Sequence, residues 1–494
     1  MKCERTRVGL PLLVLIFVVG ALTLHVARYW RPLAFAASVA VTALLVWAVS
    51  SATSDTFELF GLSFALQPLA RDYLLVAAAL SGMLAIATSF GSARRTLGFL
   101  LWSWIVWIVA LVVDDFVLGV FAWVSGLAVI VIAMEPRRGQ RTGGAAYFLV
   151  LIVIATAMLL VGHRFIQLYP LTPDRIELID SAVLFLAWGL GLLLAIAPFI
   201  LWLGPMADEA PLPIIAVLLG LGQPIGLWLL YGLIGQYPRL LEQSNLLAIL
   251  MLAGLGCILV GGGLCAFERR AGRLMSFGAL FVLGFALLDL SRGTLESTAF
   301  AVVEIFSRAL SLCLIAASIV IAREIRNRWV NYLAIVVFVL GALNLAGLAP
   351  GVALVTRWNL LLDFQATDPR IFFLLMFATL GVLVGLARYV KNWLSALAVP
   401  LPEPKPIEPI PPASFAERAR FRVQTMWLAW NRFWVERFPR PVRRVARGVA
   451  DNWRALFAVG LLLFLGAFLI WYNITPNLWL QRSLETVGQL AFAR

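Results

Sequence analysis

Hydrophobic residues run through this chain in long blocks separated by short polar punctuation. Neither the alternation of a half-buried strand nor the 3.6-residue stripe of a surface helix dominates. A helix needs about 20 mostly apolar residues to cross the hydrocarbon core of a membrane. Read in those units, the chain predicts spans near 8–26, 33–50, 72–91, 96–113, 115–134, 144–163, 180–203, 209–235, 244–266, 272–290, 296–322, 330–362, 370–389 and 454–473. The runs are too long and too continuously apolar for barrel strands, so the pattern predicts an all-α polytopic membrane protein of about 14 transmembrane helices.

Two of these blocks are irregular. Residues 330–362 are too long for one straight crossing and contain "AGLAPG", Ala346–Gly351. Residues 209–235 contain Pro213 and Pro224. Proline removes a backbone donor and kinks a helix, and non-helical backbone at membrane depth is tolerated where it is buried in protein or lines a cavity. Either feature alone is equally well read as a packed kink. Two of them, in matching places of two halves, point to a repeat transporter-type fold.

Composition agrees with the pattern: 62% of residues are hydrophobic and 13% charged, against about 25% charged in soluble domains. The net charge is +13, and its distribution is informative because Lys and Arg collect in cytoplasmic loops. Arg28 and Arg31, Arg94 and Arg95, Arg137, Arg138 and Arg141, Arg269, Arg270 and Arg273, Arg323, Arg326 and Arg328, and Arg388 with Lys391 mark alternate loops. The intervening loops are acidic or neutral, apart from Arg164, Arg175 and Arg292, which spoil the pattern without reversing it. This alternation predicts a bacterial inner membrane protein with both termini outside, against the local pull of Lys2, Arg5 and Arg7. The first block, after a basic start, lacks a small-residue cleavage site and is kept as a helix.

Behind the thirteenth block lies a Pro-rich linker, residues 396–413, which should be extended. Residues 414–453 interleave arginines with Trp427, Trp430, Phe433 and Trp434. Such a segment suits a helix lying on the membrane surface, with aromatics in the interface and arginines on anionic headgroups. Nucleic-acid binding is the rival use of a basic stretch, and the membrane-embedded remainder argues against it.

Redox and metal chemistry find little support. Cys3, Cys257, Cys265 and Cys313 lack cluster or zinc spacing, and His25 and His163 are far apart. No metal and no cofactor is expected.

The stretch "APFILWLGPMADEAPLPIIAVLLG", Ala197–Gly220, resembles the antiporter-like membrane subunits of NADH–quinone oxidoreductase (complex I), of Mrp-type sodium/proton antiporters and of membrane-bound hydrogenases. Their pattern here is approximately K-x-P-x-x-P-F-H-x-W-L-P-x-A-x-x-E-A-P-x-P. Pro198, Phe199, Trp202, Leu203, Glu209, Ala210, Pro211 and Pro213 match without a gap. "FGLSFALQPLARDYLLV" looks like the family's Leu-Asp-Pro-Leu segment with Gln67 in place of Asp. "RLMSFGALFVLGF", "EIFSRALSLCL" and "LNLAGLAPGVALVTR", which includes Pro350, are similar to later motifs in family order. The resemblance spans roughly Phe60 to Val390 and implies two pseudo-symmetric five-helix repeats with broken helices. The divisions are then 1–95 for N-terminal helices, 96–240 and 241–395 for the repeats, and 454–494 for a final span and tail. It also implies proton or cation translocation together with other membrane subunits, which would hold the redox chemistry.

The departures from the family pattern are at its charges. Matched position by position, the glutamate of the fifth helix becomes Val124, the lysine before the Pro-Phe motif becomes Leu193, and the later lysine becomes Pro224, beside neutral Gln223. The motif histidine becomes Ile200. In the second half, basic positions survive as Arg308 and Arg357, and Glu304 takes a histidine place one turn before Arg308. Lysine can lose its proton when buried, whereas arginine stays charged. Glu304, Arg308 and Arg357 are therefore ion-path candidates that cannot relay protons through the basic groups. Glu304 and Arg308 can face each other at i,i+4, as a functional pair or as a static packing pair. Asp208 and Glu209 are expected at a cytoplasmic helix start, favoured by its dipole.

The first functional expectation is a divergent antiporter-like subunit with a degenerate proton path and a structural or coupling role. The second is a stand-alone or two-component ion transporter with an Arg-lined site. The third is a membrane anchor that recruits a partner through residues 414–453.

Overall fold

The computed structural model describes residues 8–53, 56–59, 61–91, 96–134, 143–171, 177–242, 245–325, 327–349, 351–398, 455–469, 481 and 483–485. Pro350, nearly all of the Pro-rich linker and the whole basic segment 414–453 lie outside the described residues. The helices in chain order are α1 (Leu10–Ala27), α2 (Arg31–Ser50), α3 (Pro68–Ser89), α4 (Leu97–Val112), α5 (Phe116–Ile132), α6 (Gly143–Leu168), α7 (Glu177–Leu194), α8 (Leu203–Glu209), α9 (Leu212–Val217), α10 (Pro224–Gln236) and α11 (Arg239–Glu242). They continue with α12 (Leu246–Phe267), α13 (Ala271–Leu290), α14 (Leu295–Glu324), α15 (Arg328–Ala346), α16 (Ala353–Thr367) and α17 (Pro369–Ala398), and with the apolar helix α18 (Ala455–Leu469).

Among the described residues, eleven helical segments are long and apolar enough to cross a membrane, and α4 from Gly98, α5 and α18 are shorter apolar helices. The most deeply enclosed segments are α9–α10, α13 and α14, with 89%, 94% and 83% of their apolar windows buried, whereas α17 has 28%. The interior of the bundle is therefore built on α9–α10, α13 and α14, and α17 runs along its outside. A short hairpin, β1 (Phe57–Leu59) with β2 (Leu62–Phe64), turns at Gly61 and pairs Phe57 with Phe64. The helical reading holds, and the hairpin occupies the polar loop between α2 and α3.

The broken helices are only partly where the sequence places them. Residues 212–236 form one continuous span. Pro213 is in the first turn of α9, where its missing donor costs nothing. Pro224 instead opens a wide turn, Leu218–Gly222, in which the Gln223 amide bonds the Leu218 carbonyl at 2.9 Å. A proline ring repels the carbonyl four residues back, and this π-type turn absorbs the conflict. Two carbonyls that it frees are taken by side chains: Trp123 Nε1 donates to Gly222 at 2.7 Å, and the Tyr73 hydroxyl donates to Leu221. Gly220 lets this turn approach α14 closely, since a Cβ there would lie 3.2 Å from Ala309 Cα.

The interruption in the first half falls earlier, between α7 and α8. The chain leaves the helix through Ala195 at φ 56, passes a cis Ala197–Pro198 bond and re-enters by a short 3₁₀ turn at Ile200–Trp202. The sequence conceals this break because residues 195–203 are nearly all apolar, and a hydropathy run does not register backbone direction. The second break is where "AGLAPG" predicts it. Gly347, at φ 73, ends α15 in the left-handed conformation that glycine adopts without strain, and α16 restarts at Ala353.

Candidate functional site

A helix that stops inside a membrane leaves its last carbonyls without partners, and the two breaks meet this requirement differently. At the end of α7, Trp202 Nε1 donates to the Leu192 carbonyl at 2.8 Å and Gln223 Nε2 donates to the Leu193 carbonyl at 3.2 Å. Trp202 is fully buried and stacks on Phe148, with ring centroids 4.1 Å apart. At the end of α15, Arg357 Nη1 donates to the Leu345 carbonyl at 3.0 Å. A neutral amide serves the first break and a guanidinium the second.

Arg357 is the hub of the buried charges. Its Nη2 donates to Glu304 Oε2 at 2.9 Å, and its Nε lies 3.1 and 3.2 Å from the two Glu304 oxygens. Thr356 Oγ1 donates to Glu304 Oε1 at 2.5 Å. The guanidinium carbon also lies 4.5 Å from the Phe285 ring centre and 5.3 Å from that of Phe281, a cation–π arrangement on α13. Glu304 and Arg357 are 0% and 4% exposed, so the pair depends on this full set of partners. A buried ion pair repays its desolvation only when geometry and extra hydrogen bonds are good.

The i,i+4 pairing of Glu304 with Arg308 is therefore not formed. Arg308 points instead towards the first half of the chain, where its Nη2 donates to Gln223 Oε1 at 2.5 Å. Its Nε and Nη1 have no hydrogen-bond partner among the described residues, although the side chain is only 2% exposed. The tertiary ion pair wins because Arg357 offers Glu304 a fork that a neighbour on the same helix does not. Beside Arg308, Asn344 Nδ2 donates to Ser311 Oγ at 2.7 Å and lies 3.2 Å from the Ser307 carbonyl, which ties α15 to α14.

A fourth buried charged residue is absent from the sequence reading. Asp289, near the end of α13, is 1% exposed, and its Oδ1 has no partner among the described residues. The signal was a lone carboxylate inside an apolar helix, set in "ALLDLSRG". It was obscured by its nearness to the span's predicted end. Among the described residues, the charged side chains classed as buried are Asp289, Glu304, Arg308 and Arg357.

The positions matched to lost family charges are apolar in fact as well as in sequence. Leu193 is fully buried, Pro224 is buried beside Gln223, and Val124 is half-buried next to Trp123. Around them Trp104, Trp107 and Trp123 fill the interior. Trp107 Nε1 donates to the Trp123 carbonyl at 3.1 Å and Trp104 Nε1 to Ser81 Oγ at 2.9 Å. Ile200 is half-buried in the 3₁₀ turn, and Pro198 is exposed.

Asp208 and Glu209 end α8 and do not begin a helix. Glu209 nevertheless serves a helix start, that of α6. Its two oxygens accept from the Gly144 and Ala145 amides at 2.9 and 3.0 Å, and Pro211 then turns the chain into α9. The dipole argument survives with a different helix as its object. Asp208 binds Arg270 Nη1 at 2.9 Å and Arg273 Nε at 3.0 Å. Partial burial alone would push the Asp208 carboxyl up, but the two guanidiniums outweigh it and hold it below the usual carboxylate range. The glutamate of the signature is thus a structural cap, outside the buried charge cluster.

The described helices make this a polytopic helical membrane protein, and comparison with known proteins shows what it resembles. The chain is 25% identical over 341 residues to NADH-quinone oxidoreductase subunit N of Desulforudis audaxviator, an overlap of 63% of this chain and 66% of that one, just under two thirds of the relative's length. Solved structures share the fold. A chain of the membrane-bound sulfane sulfur reductase, an archaeal respiratory membrane complex, superposes with a TM-score of 0.66 at 14% identity, covering 97% of each chain. A chain of the Mrp complex from a Dietzia species gives 0.66 at 16% identity, covering 100% of this chain and 98% of that one. One from respiratory complex I of Thermus thermophilus gives 0.64 at 17% identity, covering 95% and 98%. No protein-family profile matches the sequence. The resemblance read from the Trp-Leu to Glu-Ala-Pro signature is borne out by these matches.

Proposed function

We propose that this chain is a divergent antiporter-like subunit of a multi-subunit membrane assembly of the complex I, Mrp or membrane-bound reductase kind, with a structural or coupling role. The observation that carries this reading is the placement of charge. The buried charged side chains, among the described residues, fall between Asp289 and Arg357. The positions where the family carries its first-half charges hold Val124, Leu193 and Pro224. A proton relay needs groups that change protonation, and a guanidinium does not. Arg308 and Arg357 can order partners and bias carboxylates, but they cannot pass a proton between the halves. In this reading the proton path is degenerate and stops in the second half.

The proposed partners are sister membrane subunits. Anionic lipid headgroups would meet residues 414–453, in a bacterial inner membrane with both termini outside. The alternation of basic and acidic loops supports that orientation.

Affinity purification of the tagged chain from its native membrane tests the reading. The expected result is stoichiometric recovery of other polytopic subunits. A lone particle would overturn it. A second reading, a stand-alone transporter for an ion held by arginine, draws on the two unpartnered nitrogens of Arg308, Nε and Nη1; it predicts that lone particle, stabilised by a specific ion.

A further inference from the structure

Among the described residues, two buried charged side chains keep unpartnered atoms, and along the bundle they fall on either side of the Glu304–Arg357 pair. On one side is Asp289, whose Oδ1 is buried and bonded to nothing described. On the other is Arg308, with Nε and Nη1 equally unpartnered. In native interiors such groups are uncommon and each calls for an explanation. We propose that Asp289 is the proton-binding group of this interior, and that losing its proton moves Arg357 from Glu304 to Asp289 and frees Glu304 to turn to Arg308.

The geometry places every participant within one contiguous strip. Phe281, Phe285 and Asp289 are spaced four residues apart and form one stripe on α13. Arg357 lies on the first two of these rings, nearer to Phe285, and Phe285 is one helical turn before the aspartate. Glu304 and Arg308 are likewise one turn apart on α14. The charges acting on Asp289 are those of Glu304, Arg357 and Arg292, from α14, α16 and the loop after α13. α12, packed along α13, carries only Cys257 and Cys265 as titratable groups. Asp208 and Glu209 of α8 are engaged by Arg270, Arg273 and the start of α6. α15 and α17 begin with Arg328 and Arg370, both exposed.

In the observed arrangement a buried, unpaired carboxylate at 289 would be costly as an anion and inexpensive as an acid. With Asp289 protonated the four side chains sum to one positive charge, on Arg308; with it ionised they sum to zero. The exchange converts two sets of orphaned atoms into two ion pairs, Asp289 with Arg357 and Glu304 with Arg308. Only one proton moves: it leaves the Asp289 carboxyl, and both guanidiniums and Glu304 keep their protonation. Its exit is short, because Asp289 lies three residues from Arg292, which forms an ion pair with Asp363 at the exposed end of the bundle. Glu304 and Arg308 lie nine and thirteen residues into α14, about 14 and 20 Å at ~1.5 Å per residue. A proton bound near the surface thereby changes contacts near mid-membrane, next to Gln223 and the α7 break. This deepens the coupling role and rests on it for its consequence, but the site can be read independently.

The test is pH-difference infrared spectroscopy of the full chain in lipid, following the carbonyl band of a buried carboxylic acid. The expected result is a band present at low pH, lost as pH rises, absent in Asp289→Asn and, because Arg357 is then free to pair with Asp289, lost at lower pH in Glu304→Gln. Arg308→Gln removes the partner that the exchange offers Glu304, so the band should then persist to higher pH. Should Asp289→Asn fail to fold, carbon-13 labelling of aspartate in the wild-type chain must move the band, and labelling of glutamate must not. A wild-type chain with no such band, or a band that moves with labelled glutamate, overturns the assignment of Asp289. A midpoint unmoved by Arg308→Gln overturns the partner exchange. These readings hold whether or not sister subunits copurify.

Discussion

The two halves of this bundle solve one structural problem with opposite chemistry. Each contains a helix broken inside the bundle, and each must satisfy a carbonyl that the break exposes. In residues 96–240 the Leu193 carbonyl takes a neutral glutamine amide, and the surroundings are Trp104, Trp107, Trp123 and leucines. In residues 241–395 the Leu345 carbonyl takes Arg357, which brings Glu304, Thr356 and two phenylalanine rings with it. A broken helix therefore does not by itself need a charge. Both halves hold a broken helix, and among the described residues buried charge falls in only one. Gln223 joins them, accepting from Arg308 with its oxygen while donating to Leu193 with its nitrogen.

The sharpest way to break the contrast is to remove one member of the second-half pair. Arg357→Gln or Glu304→Gln leaves a buried charge uncompensated and should cost about 3–5 kcal/mol, whereas replacing both with methionine should cost less than either alone. Thermal unfolding in one detergent orders the three variants. In the first half, Trp123→Phe keeps the ring and removes the donor to the Gly222 carbonyl opened by Pro224. An unsatisfied buried acceptor costs about 1–3 kcal/mol, and the same assay should place this variant below the charge variants in severity. Equal losses would mean that the two interiors do not differ in the way described.

Smaller effects belong to the signature carboxylates. Glu209→Ala removes the acceptor of the Gly144 and Ala145 amides and should cost about 1 kcal/mol, as loss of a helix cap does. Amide exchange at the start of α6 should rise with it. Asp208 gives a pH effect whose sign follows from its lowered folded-state pKa. Its contribution is present above the ordinary aspartate value and is lost as pH falls through the lowered one. Since its partners are partly exposed, the effect should stay below about 1 kcal/mol. Asp208→Asn should remove that part of the acid dependence.

The order of the helices and many of their bounds were legible, because apolar length reports membrane crossing. However, 180–203 ran past the end of α7 at Leu194, 330–362 spanned both α15 and α16, and α17 continues to Ala398. The family frame was legible too, from Trp202, Glu209, Pro211 and their neighbours. Side-chain pairing was less so. Glu304 and Arg308 are neighbours by helical period, and only the packing of α16 against α14 shows that Arg357 outcompetes Arg308. The first break was misplaced at Pro213 and Pro224 because Pro224 bends hydrogen bonding without ending the helix, while the helix that does end turns off at Ala195, ahead of Pro198 in an otherwise apolar run. Asp289 was missed because one carboxylate near a span's end reads as a boundary until its burial is known.

The central claim is that buried charge, which among the described residues falls in the second half, leaves no through-path for protons. The most direct test is proton flux under an imposed pH gradient in vesicles containing the purified chain alone. The account predicts flux no faster than in protein-free vesicles. A robust flux that Arg308→Ala abolishes would contradict it.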